Sequence, residues 1–107
     1  MFLTVIGNTM FEMLVGLEVS NNDVYNQYRT AMKPILQQFD GEFGYDFKIA
    51  EVLKNEANAN INRVFTIRFP TALHMDNFFS NQEYLAIKEE FFEASVAHTH
   101  IIASYEK

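Results

Sequence analysis

The stretch FEMLVGLEVSNNDVYNQYRTAMKPILQQFDGEFGYDFKI, residues 11–49, changes its apolar spacing twice and thereby decides the fold. Phe11, Met13, Val15, Leu17 and Val19 alternate with Glu12, Leu14, Gly16 and Glu18, the period of two of a strand. Leu14 makes the second face of this strand mixed rather than wet. Ser20-Asn21-Asn22 offers short polar side chains to cap free backbone N–H groups, and Asp23 sits where the helix dipole favours negative charge. Val24, Tyr28, Met32 (or Ala31), Ile35 and Phe39 recur at helical spacing. Pro34 lies inside that run and predicts a kink or break near Met32-Lys33. Asp40-Gly41 ends the helix, with the glycine expected in the left-handed conformation. Phe43, Tyr45, Phe47 and Ile49 then alternate with Gly44, Asp46 and Lys48 as a second strand. Val52 and Leu53 fall out of phase, which predicts a bulge near Ala50-Glu51.

Outward from this stretch the same alternation repeats. Asn55–Asn60 is polar and Asn-rich, a hairpin loop. Ile61, Arg63, Phe65, Ile67 and Phe69 face one way in a third strand, with Asn62, Val64, Thr66 and Arg68 opposite, until Pro70 stops the ladder. Pro70 or Thr71 starts a short helical segment carrying Ala72, Leu73, Met75, Phe78 and Phe79. Ser80-Asn81-Gln82-Glu83 reads as a capping box that splits the helical region at Ser80. Tyr84, Ile87 and Phe91 form the next apolar stripe, widened by Leu85 and Phe92; Lys88-Glu89-Glu90 and Glu93 are its wet side. In the last strand, Val96 to Tyr105, the residues Ala97, Thr99, Ile101, Ala103 and Tyr105 are expected to pack on the helices. Val96, His98, His100, Ile102 and Ser104 face the other way. Residues 1–10 read as an N-terminal extension or extra edge strand, and 11–107 as a single domain. The order strand, helix, strand, strand, helix, strand predicts an α+β domain with a four-stranded antiparallel sheet.

Composition narrows the function classes. A chain of 107 residues is one domain, and its eleven Phe and five Tyr are more than a lone two-layer domain readily hides. Self-association, a homodimer, is therefore expected. The net charge is −6, and the eight Lys and Arg are scattered, with none before Arg29. Such a chain lacks the basic footprint that nucleic acid or an anionic membrane requires. Cysteine is absent, which excludes disulfides, thiol catalysis and cysteine-ligated zinc, and is compatible with a cytoplasmic location. Met1–Val19 is apolar, but it has no positive start, and Gly7-Asn8-Thr9, Glu12 and Glu18 interrupt it, which argues against a signal peptide. No apolar run is long enough for a membrane span. No phosphate loop or nucleophile–base–acid set stands out, and no cofactor is expected.

Five short strings carry a resemblance. Val24-Tyr25-Asn26-Gln27-Tyr28, Lys33-Pro34-Ile35-Leu36 and Phe39-Asp40-Gly41-Glu42-Phe43 resemble the first half of the small DUF1330 proteins. Arg68-Phe69-Pro70-Thr71 and Phe78-Phe79-Ser80-Asn81-Gln82-Glu83-Tyr84 resemble the second half, so that the likeness spans about Phe11 to Tyr105. The resemblance implies a ferredoxin-like βαββαβ domain of the dimeric α/β-barrel group, in which the sheets of two chains face each other. Cofactor-independent oxygenases and isomerases occur on similar folds. Where the family usually shows an arginine seven positions after the Tyr84-like tyrosine, this chain has Phe91. Where its third strand often ends in an acidic residue, this chain has Arg68.

The candidate site residues are His98, His100, Arg68 and Tyr84. His98 and His100 leave the same face of a strand and are also candidate metal ligands, with Glu12 or Glu18 as a third. The alternative is two partly buried polar residues on a mixed sheet face. Arg68 would clamp a carboxylate-bearing ligand, or else pair with Glu12, Glu18 or Asp46. Tyr84 would turn its hydroxyl into a pocket, or else pack helix against sheet. His74 reads as a boundary residue. A small organic ligand is expected in the space between two facing sheets, lined by the histidine face. The competing expectation is a structural or interaction dimer without a pocket.

Overall fold

The computed structural model describes residues 9–107 and follows the expected order of elements. Strand β1 is Phe11–Val19, helix α1 Asn22–Gln38, β2 Glu42–Lys48 and β3 Arg63–Phe69. The second helical region comprises α2, Ala72–Ser80, α3, Gln82–Ile87, a wide π-helical turn, Lys88–Phe92, and the short α4, Glu93–Ser95; β4, Val96–Glu106, closes the chain. The sheet order is β2-β3-β1-β4, with every neighbouring pair antiparallel. This is the ferredoxin-like arrangement, in which β1 and β3 form the centre and both helical regions return over one face. The N-terminal extension or extra edge strand expected over residues 1–10 lies, apart from residues 9 and 10, outside the described residues.

The central strands obey the period of two. Met13, Val15, Leu17 and Val19 are buried under the helices together with Phe65, Ile67 and Phe69. Helix α1 meets them with Tyr25, Tyr28, Met32, Ile35 and Leu36, so Tyr25 takes the buried place expected of Val24. Asn21 is the N-cap: its side chain accepts from the Val24 N–H at 3.1 Å. The helix runs through Pro34 without the expected break. Thr30 and Pro34 both lie on the solvent side, where the carbonyl that proline cannot satisfy is open to water.

The helix ends differently from expectation. Asp40, not Gly41, takes the left-handed conformation, with φ 58°. Gly41 is needed for room: a Cβ there would fall 2.5 Å from Leu36 Cδ1 and 2.7 Å from Phe69 Cε1. The cap at the second helical break also moves by one residue. Asn81, not Ser80, caps α3, accepting from the Tyr84 N–H at 3.0 Å, while the Ser80 hydroxyl donates back to the Asp76 carbonyl at 2.8 Å.

The edge strands carry bulges that the alternation does not reveal. In β2 the register shifts between Phe43 and Asp46, not near Ala50-Glu51. The Tyr45 N–H bonds the Thr66 hydroxyl at 2.8 Å, and Gly44 allows this because a Cβ there would lie 2.6 Å from that oxygen. Beyond the bulge, Asp46 pairs with Phe65 and turns to the helix side, whereas Phe47 pairs with Val64 and faces away. In β4 a shift beside Ile102 has the same effect, so that Tyr105 joins Glu12 on the outer face instead of packing on the helices. Ile61 precedes β3 and also turns outward, against Gly16.

Candidate functional site

Between the sheet and the helices lies a cavity of about 390 Å³. Its floor is the helix-facing side of the sheet, notably Met13, Val15, Leu17 and Ile67. Its roof comes from Tyr25, Tyr28 and Met32 of α1, Met75 and Phe79 of α2, and Tyr84, Lys88 and Phe92 beyond. Spacing by four drifts round a regular helix, because four residues overshoot a turn of 3.6. The wide turn, in which the Glu93 N–H reaches back to the Lys88 carbonyl, takes back that overshoot and keeps Tyr84, Lys88 and Phe92 in one line. Thr99 and Ile101 of edge strand β4 complete the lining. Both are exposed, which marks where the cavity meets solvent.

One polar feature lies deep in this apolar space. The Tyr28 and Tyr84 hydroxyls are buried and hydrogen-bonded to each other at 2.9 Å. Burial pushes the Tyr28 phenol far above its ordinary value, and the neighbouring Tyr84 adds to this. Burial raises Tyr84 as well, against the partial relief of the shared hydrogen bond. Both phenols are therefore neutral at physiological pH. One hydroxyl donates to the other, which leaves one proton to donate to a ligand oxygen. Of the candidates read from sequence, Tyr84 is the one in this cavity.

An ion cluster shields the β2 side. The Arg29 guanidinium lies 3.7 Å over the Phe43 ring and donates to the Tyr25 hydroxyl at 2.9 Å, and both rings line the cavity. Asp46 joins Arg29 at 2.9 Å and Arg63 at 3.1 Å. Burial alone would push the Asp46 carboxyl up. The Arg63 hydrogen bond and the charges of Arg29 and Arg63 outweigh it and hold the carboxyl below its ordinary 3.8. A carboxyl lowered in the folded state stabilises the fold above its unfolded value and loses that contribution as pH falls through the folded one. Stability is thus expected to fall on acidification below about pH 4. Asp46→Asn is expected to flatten that part of the profile, as read from urea midpoints across pH.

The other candidates lie across the sheet. His98 and His100 pair with Glu18 and Gly16 on the outer face, and Arg68 pairs with Glu12 there. Arg68 is bound to Glu42, at 2.7 and 2.9 Å, rather than to Glu12, Glu18 or Asp46; Glu42 and Glu12 are both its cross-strand neighbours, and Glu12 is engaged by Tyr105 and Lys107 instead. Glu12 is buried and accepts a short hydrogen bond from the Tyr105 hydroxyl, whose phenol is raised by that carboxylate. Glu18 accepts from the Asn60 N–H at 3.0 Å. Among the described residues no three of His, Cys, Asp and Glu converge as a metal site requires. A more open depression of about 640 Å³ on this face is lined by His100, Ile102, Val64 and the 49–57 loop. The sheet therefore separates Tyr84 from Arg68, His98 and His100.

Sequence reading missed Lys88 and the Tyr28 hydroxyl. Lys88 reads as a wet-side residue with its neighbours Glu89 and Glu90, although four residues after Tyr84 is the spacing of one helix face. Tyr28 stood in the apolar stripe as a packing residue, and the signal available was a tyrosine where a phenylalanine would pack as well.

Residues 13–105 match the family model of DUF1330, a domain of unknown function. No curated protein matches the sequence. A protein of unknown function from Rhodopseudomonas palustris is 13% identical with a TM-score of 0.74, over 92% of this chain and 80% of that one. A dimeric protein of unknown function and ferredoxin-like fold from Bacteroides fragilis is 13% identical with a TM-score of 0.60, over 92% and 96%. Hydroxynitrile lyase from Passiflora edulis is 17% identical with a TM-score of 0.52, over 88% and 94%. At these identities the likeness is one of fold. No helix among the described residues is long and apolar enough to cross a membrane.

Proposed function

This chain belongs to the DUF1330 family, and we propose that it is a homodimeric protein binding a small organic molecule between its sheet and its helices. The observation that carries the reading is the cavity itself. It is apolar, of ligand size, and furnished with a buried phenol pair able to receive one polar group. A structural dimer without a pocket gives no reason for such a space. Neutral phenols polarise a carbonyl but do not abstract a proton, and the described lining holds neither carboxylate nor imidazole. Binding is therefore the primary role, ahead of oxygenase or isomerase chemistry. The outer face, with Arg68, His98 and His100, turns to the second chain, and a ligand held between the two sheets is the alternative location. The dimer rests on the exposed apolar residues of that face and on its occurrence in a relative of the same fold.

The methionines supply the test. Met13, Met32 and Met75 line the cavity, whereas Met10 does not. Toluene, a neutral apolar probe, is expected to shift the ¹³C-methyl NMR signals of those three and to leave Met10 in place. Shifts confined to Met10, or none, would sink the proposal.

A further inference from the structure

Among the described residues the cavity has one charged lining residue, and it is a cation in an acidic chain. Lys88 is half-buried at the mouth and takes part in no ion pair among the described residues, although Glu89, Glu90 and Glu93 are close in sequence. Those glutamates are exposed and lie off the line that the wide turn maintains from Tyr84 to Phe92. Arg29, Arg63, Arg68 and Lys107 are engaged with carboxylates; Lys33, Lys48 and Lys54 are in no ion pair among the described residues either, but they are exposed and do not line this cavity. An apolar cavity entered past a free ammonium fits an amphiphile whose anionic end stays at the rim. Seven aromatic rings and three methionine thioethers line the remainder, surfaces that adapt to a flat apolar body.

Resting on the binding reading above, we infer that the ligands are small aromatic monocarboxylic acids, with the carboxylate on Lys88 and the ring among the cavity aromatics. An oxygen substituent on the ring would reach the Tyr28–Tyr84 pair. Lysine suits this role because a compact point charge on a flexible stem follows the carboxylate without fixing its plane.

The experiment uses phenylacetate and its neutral isostere phenylacetamide, titrated against the full chain and read by the same methionine methyl signals. Phenylacetate is expected to move Met13, Met32 and Met75 and to bind about tenfold more tightly than the amide. Lys88→Gln, at a position that does not build the core, is expected to bring the acid's affinity down to that of the amide. Added salt is expected to weaken the acid alone. Equal binding of acid and amide at the three methionines, or an acid affinity unchanged in Lys88→Gln, overturns the carboxylate inference while the cavity reading stands. Silence of all three methionines towards both compounds, with toluene also silent, overturns the cavity reading itself.

Discussion

Phe78→Ala is expected to destabilise the fold by about 3–5 kcal/mol, a large share of the 5–15 kcal/mol typical of a domain. Phe78 is completely buried at the end of α2. Its ring lies 4.4 Å from that of Tyr84, 4.9 Å from Phe79, 5.6 Å from Phe69 and 6.2 Å from Phe39, measured between centroids. Those partners belong to α2 itself, the start of α3, the end of β3 and the end of α1. Truncation therefore opens a void where four elements meet, and the loss adds lost transfer energy to lost ring contacts. Neighbouring aromatics are rigid and cannot collapse into the space. Phe78→Leu refills much of the volume and is expected to cost roughly half as much or less. Urea denaturation at one fixed protein concentration measures both, since the stability of the proposed dimer would depend on concentration. A Phe78→Ala loss below about 1 kcal/mol would show that the cluster is not what joins the helical layer to the sheet. Because Tyr84 leans on Phe78, the alanine variant is also expected to loosen the phenol pair and weaken probe binding.

The division between what could and could not be read beforehand has physical causes. The central strands were legible because Phe11–Val19 and Arg63–Phe69 have a partner on each side, and period-two alternation survives wherever the ladder is regular. The edge strands were not, because one extra residue inverts every side chain beyond it. The Tyr45–Thr66 hydrogen bond reverses Asp46 and Phe47, and the shift beside Ile102 sends Tyr105 to Glu12. Gly44 was the trace of the first bulge, since glycine inside a strand often marks close approach. Helix ends were legible to within one residue, because Ser80 and Asn81, or Asp40 and Gly41, are chemically interchangeable as caps and stops until tertiary room decides. The candidate site was legible only in Tyr84. A cavity is volume that packing leaves unfilled, and no periodicity encodes it. Lys88 stands four residues after Tyr84, the spacing of one helix face, but the charged run Lys88-Glu89-Glu90 hides it as a wet-side residue.

The inverted half of β2 leads to the second large effect. Phe47→Asp is expected to convert the proposed dimer into monomers, with a dissociation constant raised at least roughly a hundredfold, about 3 kcal/mol. Phe47 is 51% exposed and stacks on Tyr45, itself 60% exposed, with ring centroids 5.7 Å apart. Ile102 and Leu53, 46% and 89% exposed, add apolar surface from β4 and the loop. A single chain gains nothing from holding these groups in water, whereas a second sheet laid against the first covers them, and aromatic anchors dominate such contacts. An aspartate there brings an unpaired charge into the covered area, and the symmetry of a two-chain interface doubles the penalty, since each chain carries the substitution. The monomer itself is expected to fold, because position 47 lies outside the buried core. Phe47→Leu controls for lost aromatic area and is expected to remain dimeric. Sedimentation velocity at micromolar concentration separates the cases: wild type at twice the chain mass, Phe47→Asp at one chain mass with unchanged circular dichroism. A wild-type protein that sediments as one chain at that concentration removes the dimer and leaves the exposed aromatics to be explained another way. A Phe47→Asp variant that stays dimeric moves the interface off this face.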